Sequence, residues 1–565
     1  MSDAQLDAAA EQQASSSSEF ERERVPESRL LGFKSFVGMY AGEHCAGTEL
    51  MIGPLFVAAG VSVFDLIVGL LLGNLLAVLS WMFLCAPIAT RTRLTLYYQL
   101  EKICGRKLVI LYNLANGVMF CFLAGSMITV SATAVGVWFK FPMPSLADIY
   151  PNSVEWCVAV FVIGALISVV AAFGYKGVSK FANIAAPWMV LVFLAFGVVA
   201  LKKFMDASPG TEFNSAGNLW AFADNVIWRG GEPLPGQAKF TFWHVTFFAW
   251  FCNMAMHVGM SDLTVFRYAK KSWFGLAAGS GMYVGHFMAW IAASMLFAYQ
   301  LHETNPNDYT VALLTQNSSQ TFTYIDAKEQ THVFTAKELR EASMIPEMIG
   351  AAMTIESAMV DTETGDDSRL LAYKQDLVNS GAIKNVDEAS VTSPSPLPGP
   401  LAAGALGLVG LICVIIAGWT TANPTIYRAG LAFQAIMPKK NRVVVTLFTG
   451  LIATIAGMFP GIAMQLLGFV AIYGLLLMPM GAVIFVDFWL IKKFGLESSY
   501  AERSDISFNW AAGLTWFITL GAASLLNIYG GVQIYFVSLP GWFFAAVLYV
   551  VLSAFYQNKI RPKSE

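Results

Sequence analysis

The chain has 565 residues, of which 56% are hydrophobic and only 13% charged, with a mean hydropathy of +0.57. Soluble globular domains carry about 25% charged residues, so this composition excludes disorder, a collagen-like rod and a disulfide scaffold, and leaves an integral membrane protein. A net charge of −3 at low charge density argues against a nucleic-acid partner.

Residues 1–29 are Ala, Gln, Ser, Glu and Arg with almost no large apolar residues, and read as a disordered cytoplasmic tail. No apolar stretch follows a basic start, so they do not read as a signal peptide. Apolar runs of about 20 residues then recur. They predict twelve spans, near 32–59, 63–88, 107–138, 156–174, 182–203, 240–262, 274–300, 401–426, 442–459, 462–490, 508–530 and 534–556. The chain thus divides into spans 1–7 (residues 30–300), a polar insert (301–399), spans 8–12 (400–556) and a short cytoplasmic tail (557–565).

Basic residues follow the even spans: Arg91, Arg93, Arg106 and Lys107; Lys176 and Lys180; Arg267, Lys270 and Lys271; Arg428, Lys439, Lys440 and Arg442; Lys492, Lys493 and Arg503. The positive-inside rule then puts both termini in the cytoplasm and the insert outside, in a plasma (inner) membrane. Within the insert, Ala336–Met359 has helical spacing and suggests a small helical cap, with a disordered segment as the alternative. Cys45, Cys85, Cys121, Cys252 and Cys413 lie in apolar runs without a CxxC pair, so they read as small core residues.

Three spans are interrupted. Span 1 reads Val37-Gly-Met-Tyr-Ala-Gly-Glu-His-Cys-Ala-Gly-Thr-Glu49, with two carboxylates, a histidine and three glycines at bilayer depth. An intramembrane charge costs about 2.5–3.5 kcal/mol or more unless it faces protein or water, and the glycines permit an unwound stretch whose carbonyls can bind a cation. Span 6 reads Trp250-Phe-Cys-Asn-Met-Ala-Met-His-Val-Gly-Met-Ser-Asp262, with Asn253 and His257 also readable as satisfied core polar residues. Span 8 ends in Ala417-Gly-Trp-Thr-Thr-Ala-Asn-Pro424. The Thr420 and Thr421 hydroxyls suit a hard cation, or else bond back to their own helix. Two polar, broken helices five spans apart point to a transporter with an inverted five-plus-five repeat.

At these places the sequence resembles the nucleobase–cation symporter-1 family, most closely its cytosine permease branch. Gly418-Trp-Thr-Thr-Ala-Asn-Pro-Thr-Ile-Tyr-Arg-Ala-Gly430 is similar to the family's W-T-T-N…L-Y-x-x-G segment. Gly60-Val-Ser with Gly73-Asn-Leu-Leu76, Gly259-Met-Ser-Asp-Leu-Thr-Val-Phe-Arg-Tyr-Ala-Lys270 and Met480-Gly-Ala-Val-Ile-Phe-Val-Asp487 match three further motifs. The likeness covers residues 30–300 and 400–555 and leaves the insert aside. It implies an all-α polytopic protein with the leucine-transporter fold, spans 1–5 and 6–10 being inverted repeats. It also implies symport of a nucleobase, hydantoin or related heterocycle with sodium or protons.

The resemblance further implies a sodium site formed by the carbonyls of Glu43 and Ala46, an oxygen of Ala417 and the hydroxyls of Thr420 and Thr421. Ala417 stands where the cytosine permease has Asn, which leaves only its backbone carbonyl. The family stacks its substrate on a Trp of span 3; this chain offers Phe120 or Phe122 instead, with Trp250, Phe251 and Asn253 from span 6 and Glu49 from span 1. An aromatic and an amide suit a flat heterocycle, one for its face and one for its edge, although lone aromatics also serve ordinary packing. Glu43, His44 and Glu49 are coupling candidates, with pairing to Asn74 or another helix as the alternative. The expected partners are a small heterocycle, a coupling cation and the lipid bilayer. No cofactor beyond a sodium ion or proton is expected. The alternative is a proton-coupled carrier of an amine-bearing or cationic heterocycle such as a vitamin precursor. HExxH, GxSxG and P-loop motifs are absent, so no enzyme is implied, and broken inverted helices argue against a channel.

Overall fold

The apolar runs fold as helices in the computed structural model, which describes residues 19–144, 148–207, 214–228, 230–231, 233, 237–304, 321–325, 331–335, 397–463 and 466–560. Span 1 consists of Phe33–His44 (1a) and Glu49–Ala58 (1b), and span 6 of Phe242–Phe251 (6a), Met254–His257 and Leu263–Phe266 (6b). The others are span 2 (Val63–Thr92), span 3 (Arg106–Phe139), span 4 (Val154–Ala172), span 5 (Gly174–Ala207), span 7 (Ser272–Gln300), span 8 (Pro398–Ile436), span 9 (Arg442–Gly457), span 10 (Leu466–Trp489), span 11 (Trp510–Ile528) and span 12 (Ile534–Ile560). Among the described residues, nine helices are long and apolar enough to cross a membrane. The remaining predicted crossings are the two broken spans and span 9, whose helix has 16 residues.

Local chemistry sets many of the ends. Ser62, Ser153 and Asn509 cap spans 2, 4 and 11 by accepting the backbone N–H of Asp65, Trp156 and Ala511. Span 4 shows how the spans face two environments. Gly164 and Ser168 are buried against the protein, whereas Val158, Phe161, Val162, Leu166 and Val169 are exposed, an apolar face suited to lipid. Span 8 packs along span 3. Span 7 crosses span 1a at Gly285, where a Cβ would lie 2.6 Å from the His44 carbonyl oxygen, so only glycine allows that approach. Trp81–Cys85 in span 2 and Ser280–Phe287 in span 7 are π-helical, a local widening common at functional sites.

One expectation changes. The tail expected to be disordered through residue 29 is folded from Glu19 onward. The Glu19 carboxylate accepts from the hydroxyls of Tyr268 (2.7 Å) and Tyr427 (2.9 Å), Val25 N–H bonds the Arg93 carbonyl at 3.1 Å, and Arg22 pairs with Glu101. A few well-placed polar contacts order this segment despite its poor apolar content. In the insert, the described residues form a two-stranded antiparallel hairpin, Thr321–Ile325 with Thr331–Thr335. The expected helix over Ala336–Met359 lies outside the described residues.

Candidate functional site

The break in span 1 falls at Cys45–Thr48, and span 6 is interrupted at Cys252–Asn253 and again at Val258–Asp262. Both breaks face span 8, and a buried ion triad joins the three. Arg428 of span 8 donates from Nη1 to Glu43 Oε1 at 2.5 Å and from Nη2 to Glu43 Oε2 at 3.2 Å. The same Nη2 donates to Asp262 Oδ1 at 2.8 Å. Asp262 Oδ2 also accepts from Tyr40 Oη (2.5 Å) and from Trp81 Nε1 (2.7 Å), which the π-helical turn of span 2 carries inward. Arg428 and Asp262 are fully buried and Glu43 is 3% exposed. Two carboxylates on one guanidinium leave the triad with a formal charge of −1.

Arg428 is therefore not a loop charge, as its place among the cytoplasmic basic residues suggested. Span 8 continues as helix past Pro424 to Ile436, which draws Arg428 into the core. Arg267 is corrected in the same way. It is fully buried, donating to the hydroxyls of Tyr268 (3.0 Å) and Tyr427 (3.2 Å) and to the Phe20 carbonyl (2.9 Å).

Beside the triad the predicted oxygen ligands draw together. Thr421 Oγ1 lies 2.9 Å from the Glu43 carbonyl oxygen and 3.1 Å from that of Ala417. Thr420 Oγ1 lies 3.0 Å from the same Ala417 oxygen and 3.7 Å from Met189 Sδ. Both hydroxyls thus back-bond to their own helix, yet Thr421 also bridges to span 1. The Ala46 carbonyl, at the break, accepts from Glu49 N–H at 3.1 Å. Several uncharged oxygens grouped at a helix break are the ligand type that a hard cation takes.

A cavity of about 60 Å³ adjoins this cluster, lined by Glu43, His44, Glu49, Asn253, His286, Thr421 and Tyr473 among others. It brings together Glu43, His44, Glu49 and Asn253 from the sequence reading, and adds Leu123 and Met127 from span 3 where Phe120 or Phe122 was expected. Phe120 is buried against Tyr473, ring centroids 4.7 Å apart, and neither Phe120 nor Phe122 lines the cavity. Span 3 is turned so that Leu123 and Met127 face the cavity.

Trp250 also lies elsewhere. Its Nε1 donates to Ser80 Oγ at 3.0 Å and its ring stacks on Phe251. Phe251 lines a second, apolar cavity of about 330 Å³ with Phe248 and Tyr535, and Cys252 borders both cavities. Glu49 accepts from Trp290 Nε1 and faces His286 Nε2 at 3.7 Å; Asn74, the alternative partner for the span 1 polar residues, has no hydrogen bond in either sense among the described residues. His286, Tyr473 and Arg428 are the site residues that sequence reasoning missed. His286 gave a weak signal, a lone histidine in an apolar span. Arg428 gave a stronger one, because two acids in broken helices imply a cation between them.

No protein-family model matches the chain, and no relative is found among curated proteins. Solved structures do match over nearly the whole length. Mhp1, a nucleobase-cation-symport-1 family transporter, in a closed conformation with bromovinylhydantoin bound, superposes with a TM-score of 0.56 at 12% identity, covering 95% of this chain and 96% of Mhp1. The inward-facing conformation of Mhp1 gives 0.54 at 12% identity, with 95% and 93% covered. A Na+-coupled sialic acid symporter in its substrate-bound outward-open state gives 0.51 at 12% identity, with 95% and 91% covered.

The chain has the leucine-transporter fold. Spans 1–5 and 6–10 are its two repeats, and the broken spans 1 and 6 are their equivalent first helices. The cavity and the triad therefore sit where the two repeats meet.

Proposed function

We propose that the chain is a secondary active symporter that imports a nucleobase-like heterocycle with sodium by alternating access. Its place would be the plasma (inner) membrane, with both termini in the cytoplasm. One observation carries this reading: the Thr421 hydroxyl of span 8 meets the Glu43 carbonyl of the broken span 1 beside an internal cavity. The Glu43 and Ala417 carbonyls and the Thr420 and Thr421 hydroxyls are the residues that would hold the ion, with Ala46 completing the set from the break. The negative triad next to them favours a bound cation.

Binding of the ion across spans 1 and 8 would hold the break in one geometry and so organise the adjoining cavity for substrate. That is symport in thermodynamic terms, since each ligand then favours the state that binds the other. The bulk of the cavity is below the roughly 300–1,000 Å³ of most ligand pockets. Admission of a heterocycle therefore requires the broken helices to move.

The test is uptake by proteoliposomes of radiolabelled nucleobases and hydantoins, with an inward sodium gradient and with potassium in its place. Accumulation of at least one of these solutes only under the sodium gradient is expected. Equal uptake in potassium would overturn the sodium assignment, and no uptake of any heterocycle would overturn the substrate class.

A further inference from the structure

Three polar side chains that line the central cavity, His44, Glu49 and His286, meet at one corner of it. His44 Nδ1 lies 2.8 Å from the Tyr40 carbonyl oxygen. A carbonyl only accepts, so Nδ1 carries the ring proton and Nε2 is a bare lone pair. That Nε2 is buried and has no hydrogen-bond partner among the described residues. His286 lies beside it. Its Nε2 lies 3.7 Å from Glu49 Oε1, beyond hydrogen-bond reach, and its Nδ1 is buried without a partner among the described residues.

The His286 ring is held in this pose. It stacks on Trp290 with centroids 4.2 Å apart at 19°, and meets the His44 ring edge-on at 4.7 Å. Glu49, 3% exposed, adds the carboxylate, with Oε2 taken by Trp290 Nε1. The bare His44 Nε2 and the Glu49 carboxyl make a corner that accepts hydrogen bonds, and the unpaired His286 Nδ1 joins them as an acceptor when its ring proton is on Nε2. A buried acceptor left unpaired is costly, and a buried carboxylate more so, which makes a donor-bearing cation the ligand that fits.

We propose that this corner is an amine subsite. Glu49 pairs with the protonated amino or amidine group of the heterocyclic substrate, and His44 Nε2 and His286 Nδ1 accept its remaining N–H donors. The inference rests on the reading of the chain as a heterocycle symporter and narrows it. Rings that carry a cationic amino or amidine group are selected over rings that present only carbonyl edges, such as uracil or hydantoin. The 60 Å³ of the cavity suits the amino or amidine end of such a molecule.

The experiment measures ligand-induced thermal stabilisation of the purified full-length protein, in sodium and in potassium buffers. The probes are 4-aminopyridine and benzamidine as cations, and uracil and hydantoin as carbonyl-edged rings. Stabilisation by the cations and not by uracil or hydantoin is expected in wild type. In Glu49→Gln the affinity for 4-aminopyridine falls about 10- to 100-fold, the range for loss of a charged hydrogen-bonded partner.

A wild-type preference for uracil or hydantoin overturns the proposal, as does stabilisation by none of the cations. Unchanged 4-aminopyridine affinity in folded Glu49→Gln also overturns it. The wild-type comparison stands even if that variant does not fold. Cation binding that is equal in sodium and potassium would remove the sodium coupling and leave the amine subsite in place.

Discussion

Replacing Arg428 with Met tests the triad most directly. Each carboxylate lies in hydrogen-bond contact with the guanidinium, so the charge centres are about 4 Å apart. At an effective dielectric of about 20 that separation corresponds to roughly 4 kcal/mol per pair before desolvation is counted. Desolvation offsets much of it, but deleting one partner of a buried pair typically costs about 3–5 kcal/mol, because a charge is left unpaired. Arg428→Met strands two carboxylates, Glu43 and Asp262, both essentially inaccessible to water. A loss of about 3–5 kcal/mol, at the upper end of that range, is therefore expected. The assay is thermal unfolding in detergent, followed by the fluorescence-detected loss of monodisperse protein. The triple variant Arg428→Met, Glu43→Gln, Asp262→Asn should recover most of the loss, since no buried charge remains. If Arg428→Met melts like wild type, or the triple variant is no better than the single one, the reasoning about the triad is wrong.

Thr421→Ala removes the hydroxyl that bridges the Glu43 and Ala417 carbonyls, and sodium affinity should fall about tenfold with little change in protein abundance, measured as the sodium dependence of uptake. Trp250→Ala should leave substrate affinity near wild type, because the ring bonds Ser80 and lies outside the central cavity; a large loss in a binding assay would place the ring at the substrate. Gly481→Ala should destabilise by about 1–3 kcal/mol or more, since a Cβ there would lie 1.9 Å from the Val258 carbonyl oxygen at the span 6 break; an unaltered melting temperature would contradict this packing. Glu19→Ala removes the acceptor shared by Tyr268 and Tyr427, and amide exchange across Phe20–Val25 should rise.

The helical fold was legible because a bilayer demands apolar runs, and those runs are written plainly in the chain. The breaks were legible too: Gly42, Gly47 and the polar residues around them are out of character for a lipid-facing helix. Partner choice was not. Glu43 and Asp262 showed as costly charges, but nothing local pairs them with Arg428, which follows a proline and looked like the start of a basic loop. The facing side of span 3 was equally hidden. A helix apolar all round has little amphipathic signal to fix its rotation, so Phe120 was no better marked than Met127 as a cavity residue. Glu19 was missed for the opposite reason, since composition averages over a segment and a single well-placed carboxylate does not register in it.

The triad also sets a timetable for synthesis. Arg428 lies 385 residues after Glu43 and 166 after Asp262. At about 5–20 residues per second, the guanidinium emerges roughly 20–80 s after the first of its two carboxylates. Until then the nascent chain holds span 1, and over the last 166 residues span 6 as well, with acids that have no counter-charge of their own. Those helices must wait beside water, lipid headgroups or the insertion machinery, and a chain stopped before span 8 would never release them.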